Sequence, residues 1–238
     1  MNDQIDTYFC LSTTTYASGS PINNLVYNFT TTPDLSSSGS PTDPTPICFL
    51  PGTLIATPEG LRPVETLQPG DLVLTSEGPE RVRFLGYTYF CQRTLQAIGR
   101  MPVGIEAGAF GELGPERDTF VSPGHALHLQ GAMVEAGALI NGRSIRQHNE
   151  WPHAEQIVYY SIELERHALV WANGLLAESF YPSGDSRLSW NNHHEYVALY
   201  GEEVHPFEEL ALPRILFARQ LAAELRALVG LPDLALSI

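Results

Sequence analysis

The strongest constraint on the fold is a succession of short apolar runs, each closed by a turn signal, that begins near residue 47. The runs Leu169–Trp171 and Leu175–Ala177 flank Asn173-Gly174, a pair that suits the type I′ turn of a β-hairpin. Other runs turn back at Gly78-Pro79 and at Pro123-Gly124. Many short strands joined by regular turns predict a mainly β fold.

The end of the chain has a different pattern. Apolar residues recur at helical spacing between Pro213 and Gly230, namely Ile215, Ala218, Leu221, Leu225 and Leu228. Proline is favoured at the first position of a helix, and Gly230 followed by Pro232 is a helix stop signal. This pattern predicts one amphipathic helix over about residues 213–229, packed on the β body.

These patterns divide the chain into three segments. Residues 1–46 are rich in Ser, Thr and Pro, which predicts an N-terminal segment and linker. Residues 47–181 hold the succession of strands. Residues 182–238 form a C-terminal extension that contains the predicted helix.

Composition disfavours two classes of partner. Thirteen Lys and Arg against 27 Asp and Glu give a formal net charge of −14, whereas nucleic acids and anionic membranes attract basic surfaces. We therefore expect neither as a partner. The acidic, polar N-terminus and the absence of a long apolar run predict no classical signal peptide and no transmembrane helix. The expected location is the cytoplasm, or the outside of the cell by a non-classical route.

Three stretches together resemble one known family. Residues 48–53 read Cys-Phe-Leu-Pro-Gly-Thr and residues 70–74 read Gly-Asp-Leu-Val-Leu. With residues 122–125 (Ser-Pro-Gly-His) and 158–179, they resemble the Hint superfamily, the hedgehog/intein autoprocessing fold, and in particular its bacterial Hint-domain proteins. The resemblance covers residues 47–181. It implies a horseshoe of short, mostly antiparallel strands.

The resemblance also implies a chemistry. In this family a cysteine thiol attacks the peptide bond before it, and a Ser/Thr-x-x-His element assists. Here Cys48 is the expected nucleophile and Ile47-Cys48 the scissile bond, with His125 as acid/base and Ser122 as the hydrogen-bond donor that orients the carbonyl. A histidine suits this role because it titrates near neutral pH.

The resemblance to inteins does not extend to their C-terminal splice junction. Inteins end in His-Asn, and that asparagine cyclises to cut the C-terminal bond, whereas Glu178 and Ser179 stand here. Serine has no side-chain amide, so full splicing is not expected. His167 and Ser179 remain as supporting candidates. The stretch 84–88 lacks the carboxylate that activates a sterol in the hedgehog variant, so sterol transfer gains no support.

The resulting hypothesis is single-turnover self-cleavage before Cys48. The chain's own N-terminal segment is the acyl donor, and water or an unknown nucleophile is the acceptor. Because His125 and His128 face opposite sides of a strand, no metal site is expected, and no cofactor is implied. One alternative is a catalytically silent Hint-fold module for structure or binding. Another is a cysteine hydrolase acting in trans, but Cys48 does not begin a predicted helix that would lower its pKa.

Overall fold

The computed structural model describes residues 47–151, 154–182, 186–202 and 208–232. The strands in this part of the chain are β1 Leu54–Thr57, β2 Gly60–Pro63, β3 Leu72–Thr75, β4 Gly78–Cys91, β5 Val103–Ile105, β6 Thr119–Val121, β7 Ala126–Leu129, β8 Ala132–Glu135, β9 Ile145–Gln147, β10 Gln156–Leu164, β11 Leu169–Ala172, β12 Leu175–Glu178 and β13 Arg214–Ile215. The α-helices are α1 Gln92–Ala97, α2 His193–Tyr200 and α3 Ala223–Leu228. The predicted mainly β class is confirmed.

The strands form two sheets. The larger sheet has the order β10-β4-β3-β11-β12-β7-β8-β13, with β1 paired to both β11 and β2. The smaller sheet has the order β6-β5-β9. All of these pairings are antiparallel except that of β13 with β8. The 14-residue strand β4 pairs with β3 through Gly78–Arg81 and with β10 through its remainder, so one long strand joins two parts of the sheet.

Phe49 links the two sheets at the start of the described chain. It forms antiparallel bridges to Val121 of β6 and to Tyr160 of β10. The strand interiors supply one large core in which Ile55, Val73, Val121, Leu127 and Val170 are almost completely inaccessible to solvent. Residues around Phe49 are therefore fixed between two sheets that share a core.

The hairpin predicted at Asn173-Gly174 is confirmed. Strands β11 and β12 pair from Leu169↔Glu178 to Ala172↔Leu175. Asn173 and Gly174 both have positive φ, at 48° and 80°, as a type I′ turn requires. The turn fixes the register of the hairpin, and this register places Glu178 and Ser179 at its open end.

The single helix predicted over residues 213–229 is wrong. Arg214 and Ile215 form β13, which pairs in parallel with β8, and Met133 N donates a hydrogen bond to Pro213 O at 2.8 Å. A 3-10 turn follows at Ala218–Gln220, and only Ala223–Leu228 is α-helical. The chain ends this helix at Gly230, which has a φ of 65°, close to the predicted stop. Sheet pairing with β8 thus overrides the helical spacing of the apolar residues.

The helices in the described part of the chain are all too short to span a membrane; the longest is α2, with eight residues.

Candidate functional site

Backbone hydrogen bonds hold Cys48 between a chain corner and a strand. Ser122 N donates to Cys48 O at 3.0 Å. On the other side, Phe49 N donates to Tyr160 O at 2.8 Å, and Tyr160 N donates to Phe49 O at 2.9 Å. His125 N donates to Ser122 O at 3.0 Å and closes the Pro-Gly corner. The Ile47-Cys48 junction therefore lies between the 122–125 corner and β10.

Cys48 is a free cysteine whose residue surface is 2% exposed. It packs in an apolar cluster that includes Leu50, Leu95, Met101 and Tyr159. Burial raises the pKa of the Cys48 thiol to about 12, and its contact with Ser161 offsets only part of this rise. The thiol is therefore protonated at neutral pH, and its proton has to move before or during any nucleophilic attack.

Ser161 connects the thiol to the carbonyl of the junction. Its Oγ lies 3.1 Å from Ile47 O and 3.2 Å from Cys48 Sγ. A carbonyl oxygen can only accept a hydrogen bond, so Ser161 donates to Ile47 and accepts from the Cys48 thiol. The three groups form a chain from S–H through O–H to C=O. The prediction from sequence missed Ser161, which lies at a buried position of strand β10.

Ser122 is placed at the amide nitrogen of the junction. Cys48 N donates to Ser122 Oγ at 3.2 Å. The role of carbonyl-orienting donor, which the sequence suggested for Ser122, is thus occupied by Ser161 in the structure. The two serines contact opposite ends of the same peptide bond, Ser161 at its oxygen and Ser122 at its nitrogen.

His125 is buried beside the junction with a defined tautomer. Its Nε2 lies 3.1 Å from Glu178 O, and because a carbonyl only accepts, Nε2 carries the proton and Nδ1 is the basic nitrogen. The centroid of the His125 ring lies 4.3 Å from the centroid of the Phe49 ring, and the His125 ring also interacts with the Cys48 backbone. Nδ1 completes no well-directed hydrogen bond within the described residues. Burial lowers the pKa of His125, outweighing the nearby Glu178 charge and the backbone hydrogen bonds, so the ring is neutral at pH 7.

A buried carboxylate supports the histidine. Glu178 Oε1 accepts from Ala126 N at 2.6 Å, and Oε2 accepts from Arg214 at 2.6 Å. Burial opposes ionisation of Glu178, but hydrogen bonds from His167 and Arg214 and the Arg214 charge outweigh it, so the Glu178 pKa lies below its usual range. Sequence reasoning noted Glu178 only as a replacement of the intein histidine. The sequence feature that could have indicated the role of Glu178 is an acidic residue at an inward-facing position of the hairpin.

The two supporting candidates lie next to Glu178 or the hairpin backbone. His167 Nε2 is 3.4 Å from Glu178 Oε2, and His167 Nδ1 accepts from Leu210 N at 3.2 Å. Ser179 Oγ accepts from Ala168 N at 3.0 Å, and Ser179 N donates to Ala168 O. Neither side chain hydrogen-bonds Cys48 in the described structure. Of the residues predicted from sequence, the structure therefore brings Cys48, Ser122 and His125 together.

Comparison with known proteins identifies the family of the chain. A family model described as Hint domain matches residues 47–184, which is more than half of the chain. The chain belongs to the Hint domain family. Hint domains are self-processing domains of the hedgehog/intein type, so the predicted family and fold are confirmed. No curated protein sequence is a significant match.

The chain is similar to several solved structures, which include inteins and an intein-like domain. The gp41-1 intein is 19% identical with a TM-score of 0.39, over 55% of this chain and 96% of that chain. The MchDnaB-1 intein is 16% identical with a TM-score of 0.39, over 56% and 99%. The bacterial intein-like domain from Clostridium thermocellum is 15% identical with a TM-score of 0.39, over 56% and 98%.

The Hint site of this chain has the parts for one acyl transfer. It holds a buried thiol at Cys48, a hydroxyl on the adjacent carbonyl oxygen from Ser161, and a buried imidazole at His125. Ser179 offers no amide for cyclisation at the other junction. Within the described ranges, no group of three or more His, Cys, Asp or Glu side chains is arranged to hold a metal ion.

Proposed function

We propose that this Hint domain cleaves its own chain at the Ile47-Cys48 bond by an N-to-S acyl shift. The observation that carries the proposal is the position of Ser161, which contacts both the carbonyl oxygen to be attacked and the attacking thiol. Such an arrangement has a direct use in acyl transfer, because the hydroxyl can stabilise the charge that develops on the carbonyl oxygen.

The first step is attack of Cys48 Sγ on the carbonyl carbon of Ile47. A sulfur–carbon bond forms and gives a five-membered tetrahedral intermediate. The thiol proton moves to Ser161 Oγ while the Ser161 proton moves to the carbonyl oxygen. No free thiolate is needed, which suits a thiol whose pKa is about 12. The hydroxyl of Ser161 is regenerated, and the intermediate is neutral.

The second step is collapse of this intermediate. The carbon–nitrogen bond breaks, the carbonyl re-forms, and His125 Nδ1 takes the proton released from the oxygen. His125 then delivers this proton to Cys48 N, which becomes an amine. The acceptor oxygen of Ser122 holds the remaining N–H and keeps the nitrogen in place. The products are a thioester between Ile47 and Cys48 and a free α-amino group.

The thioester is then passed to a nucleophile. The acyl donor is the chain's own residues 1–47, and water or an added nucleophile is the acceptor. Ile47 is β-branched next to the reacting carbonyl, which crowds the approach of water. We therefore expect slow hydrolysis and faster capture by a stronger nucleophile such as an amine or a thiol. The result is a fragment of residues 1–47 and a new N-terminus at Cys48.

The test is the intact mass of the purified full chain and of Cys48→Ala, each incubated with and without hydroxylamine near neutral pH. Samples are reduced and denatured before measurement. We expect the wild type to yield residues 1–47 as a hydroxamate together with residues 48–238, and Cys48→Ala to stay whole. Fragment masses identify the bond, which matters because hydroxylamine can also cut Asn-Gly bonds and the chain has two, at Asn141 and Asn173.

Two results decide against the proposal. Equal cleavage of wild type and Cys48→Ala at residue 47 would remove the thiol from the mechanism. A wild-type chain that stays uncut with hydroxylamine and with excess thiol would indicate a silent Hint module. As a matched control, Ser76→Ala removes the hydroxyl of an exposed serine that is not part of the site. This variant is expected to cleave like the wild type.

A further inference from the structure

Among the described residues beyond the Hint match, a short segment reaches the site. Residues 208–215 lie outside the matched range 47–184. Within this segment, β13 extends the larger sheet by pairing Arg214 with Met133 and Ile215 with Val134 of β8. The amide of Leu210 donates to His167 Nδ1 at 3.2 Å. The segment is thus attached to the Hint sheet by backbone bonds on one side and to a buried histidine on the other.

Arg214 is the residue of this segment that enters the site. Its guanidinium contacts both carboxylate oxygens of Glu178, at 2.6 Å to Oε2 and 3.3 Å to Oε1. The Glu178 side chain is 0% exposed, whereas that of Arg214 is 24% exposed. An ionised carboxylate that is fully buried requires a partner of opposite charge. Within the part of the chain that the structure describes, Arg214 is the arginine that contacts this carboxylate. His167 adds a single ring nitrogen at 3.4 Å from Oε2.

Glu178 in turn determines how His125 is held. Its carbonyl oxygen receives the His125 Nε2 proton at 3.1 Å, and its side chain receives the amide proton of Ala126, the next residue after His125. One residue therefore fixes both the ring tautomer and the backbone beside it. Displacement of Glu178 would release the His125 ring from its position beside the Cys48 backbone.

We infer that Arg214 is a positioning residue for the self-cleavage reaction, acting through Glu178 on His125. The C-terminal extension is accordingly a working part of the Hint site. This inference rests on the proposed function for its effect on cleavage, but its effect on His125 is independent of whether the chain cleaves.

The charges around His125 make the inference testable. Glu178 raises the pKa of His125 and Arg214 lowers it. Other charged or titratable groups in the described structure also face this cluster. His167 contacts Glu178, and Glu209 contacts Arg214. Glu135 interacts electrostatically with Arg214, Glu178 and Arg100. If Arg214 acts through Glu178, removal of Arg214 leaves Glu178 without its cation, and the Glu178 charge no longer raises the pKa of His125. Arg214→Met should then titrate like the double variant, whereas an undisturbed Glu178 charge would raise the midpoint above that of the wild type.

The experiment compares Arg214→Met, Glu178→Gln and the double variant. Ring NMR of His125 is recorded against pH in the Cys48→Ala background, which keeps the chain intact, with His125→Gln to assign the signal. Cleavage by hydroxylamine is measured in chains that retain Cys48. We expect the midpoint for His125 to fall in Glu178→Gln, and the midpoint of Arg214→Met to equal that of the double variant. We expect cleavage by Arg214→Met to be slower by about 10- to 100-fold.

The controls separate positioning from folding. Arg219→Met removes an exposed arginine of the same extension and should leave the His125 midpoint and the cleavage rate unchanged. Arg214→Lys keeps the charge without the two-pronged contact, so it should keep the wild-type midpoint and recover part of the rate. An Arg214→Met midpoint above that of the wild type, or one that differs from the midpoint of the double variant, would overturn the inference. An uncut wild type would defeat the proposed function while the NMR comparison still decides this inference.

Discussion

The Ser161 hydroxyl lies 3.1 Å from the carbonyl oxygen of Ile47, the residue on the N-terminal side of the junction. The two residues are 114 positions apart, and β10 brings them together by pairing with Phe49. This contact places a hydrogen-bond donor on the oxygen that gains charge during acyl transfer. It also makes Ser161 the residue by which the proposed reaction is most directly tested.

Replacement of Ser161 by alanine should slow cleavage while leaving the fold in place. The change removes the donor from the Ile47 oxygen and interrupts the path of the thiol proton. Loss of one such donor slows other acyl-transfer enzymes by about 100- to 1,000-fold, so we expect a reduction of that order. The measurement is the rate of hydroxylamine-induced cleavage by intact mass.

Two comparisons sharpen this test. Ser161→Thr keeps the hydroxyl and should cleave faster than Ser161→Ala. Ser76→Ala should behave as the wild type. If Ser161→Ala cleaves at the wild-type rate, the hydroxyl does not stabilise the transition state and the proton path through it is wrong.

Ser122 should have a smaller effect on rate and a measurable effect on stability. Its Oγ accepts from Cys48 N at 3.2 Å, and alanine would leave this buried amide N–H without its partner. An unsatisfied buried donor costs about 1–3 kcal/mol. We expect Ser122→Ala to lower the free energy of unfolding by that amount in denaturant titrations and Ser122→Thr to restore most of it. Equal stability of the alanine variant and the wild type would show that Ser122 is not needed at this amide.

The sequence allowed the site to be predicted in part because its motifs are local. The type I′ hairpin follows from Asn173-Gly174, and the corner at residues 122–125 follows from Pro-Gly between two apolar runs. Ser161 escaped prediction because its role depends on a partner more than a hundred residues away. No local pattern distinguishes it from any other serine in a strand.

The C-terminal extension shows where periodicity misleads. Its apolar spacing fits a helix over residues 213–229, yet Arg214 and Ile215 are extended. Pro213 and β13 form backbone hydrogen bonds with strand β8. The ion pair between Arg214 and Glu178 adds a side-chain contact. Both partners belong to distant parts of the chain. Helical spacing carries no information about either of them, so tertiary contacts decided the local structure.

The thiol of Cys48 should make the protein less stable at alkaline pH. Its folded pKa of about 12 lies above the ordinary value of 9.0, so the folded state favours the protonated form. The associated stability is complete below pH 9 and is lost as pH rises toward 12. Linkage gives a loss of about 1.4 kcal/mol between pH 8 and 10, because only the unfolded state releases the proton there.

This effect is measured by the difference between wild type and Cys48→Ser in the free energy of unfolding at pH 8, 9 and 10. Serine keeps the shape but does not titrate in this range. Other alkaline groups, such as Tyr159, are present in both proteins and cancel in the difference. A constant difference across the three pH values would mean that the thiol titrates alike in the folded and unfolded chain, contrary to its burial.

Glu178 should give the opposite dependence at acidic pH. Its folded pKa is lowered, so its contribution is present above the ordinary value of 4.5 and is lost as pH falls through the folded pKa. Glu178→Gln removes a charge that Arg214 and His167 hold, and breaking a buried pair of this kind destabilises proteins by about 3–5 kcal/mol. We expect the wild type to be more stable than Glu178→Gln at pH 7 and the two to converge on acidification. Glu112→Gln, at an exposed carboxylate, should keep the wild-type curve. Parallel curves for wild type and Glu178→Gln would mean that this carboxyl group titrates equally in both states, and Arg214 would then have no buried charge to stabilise beside His125.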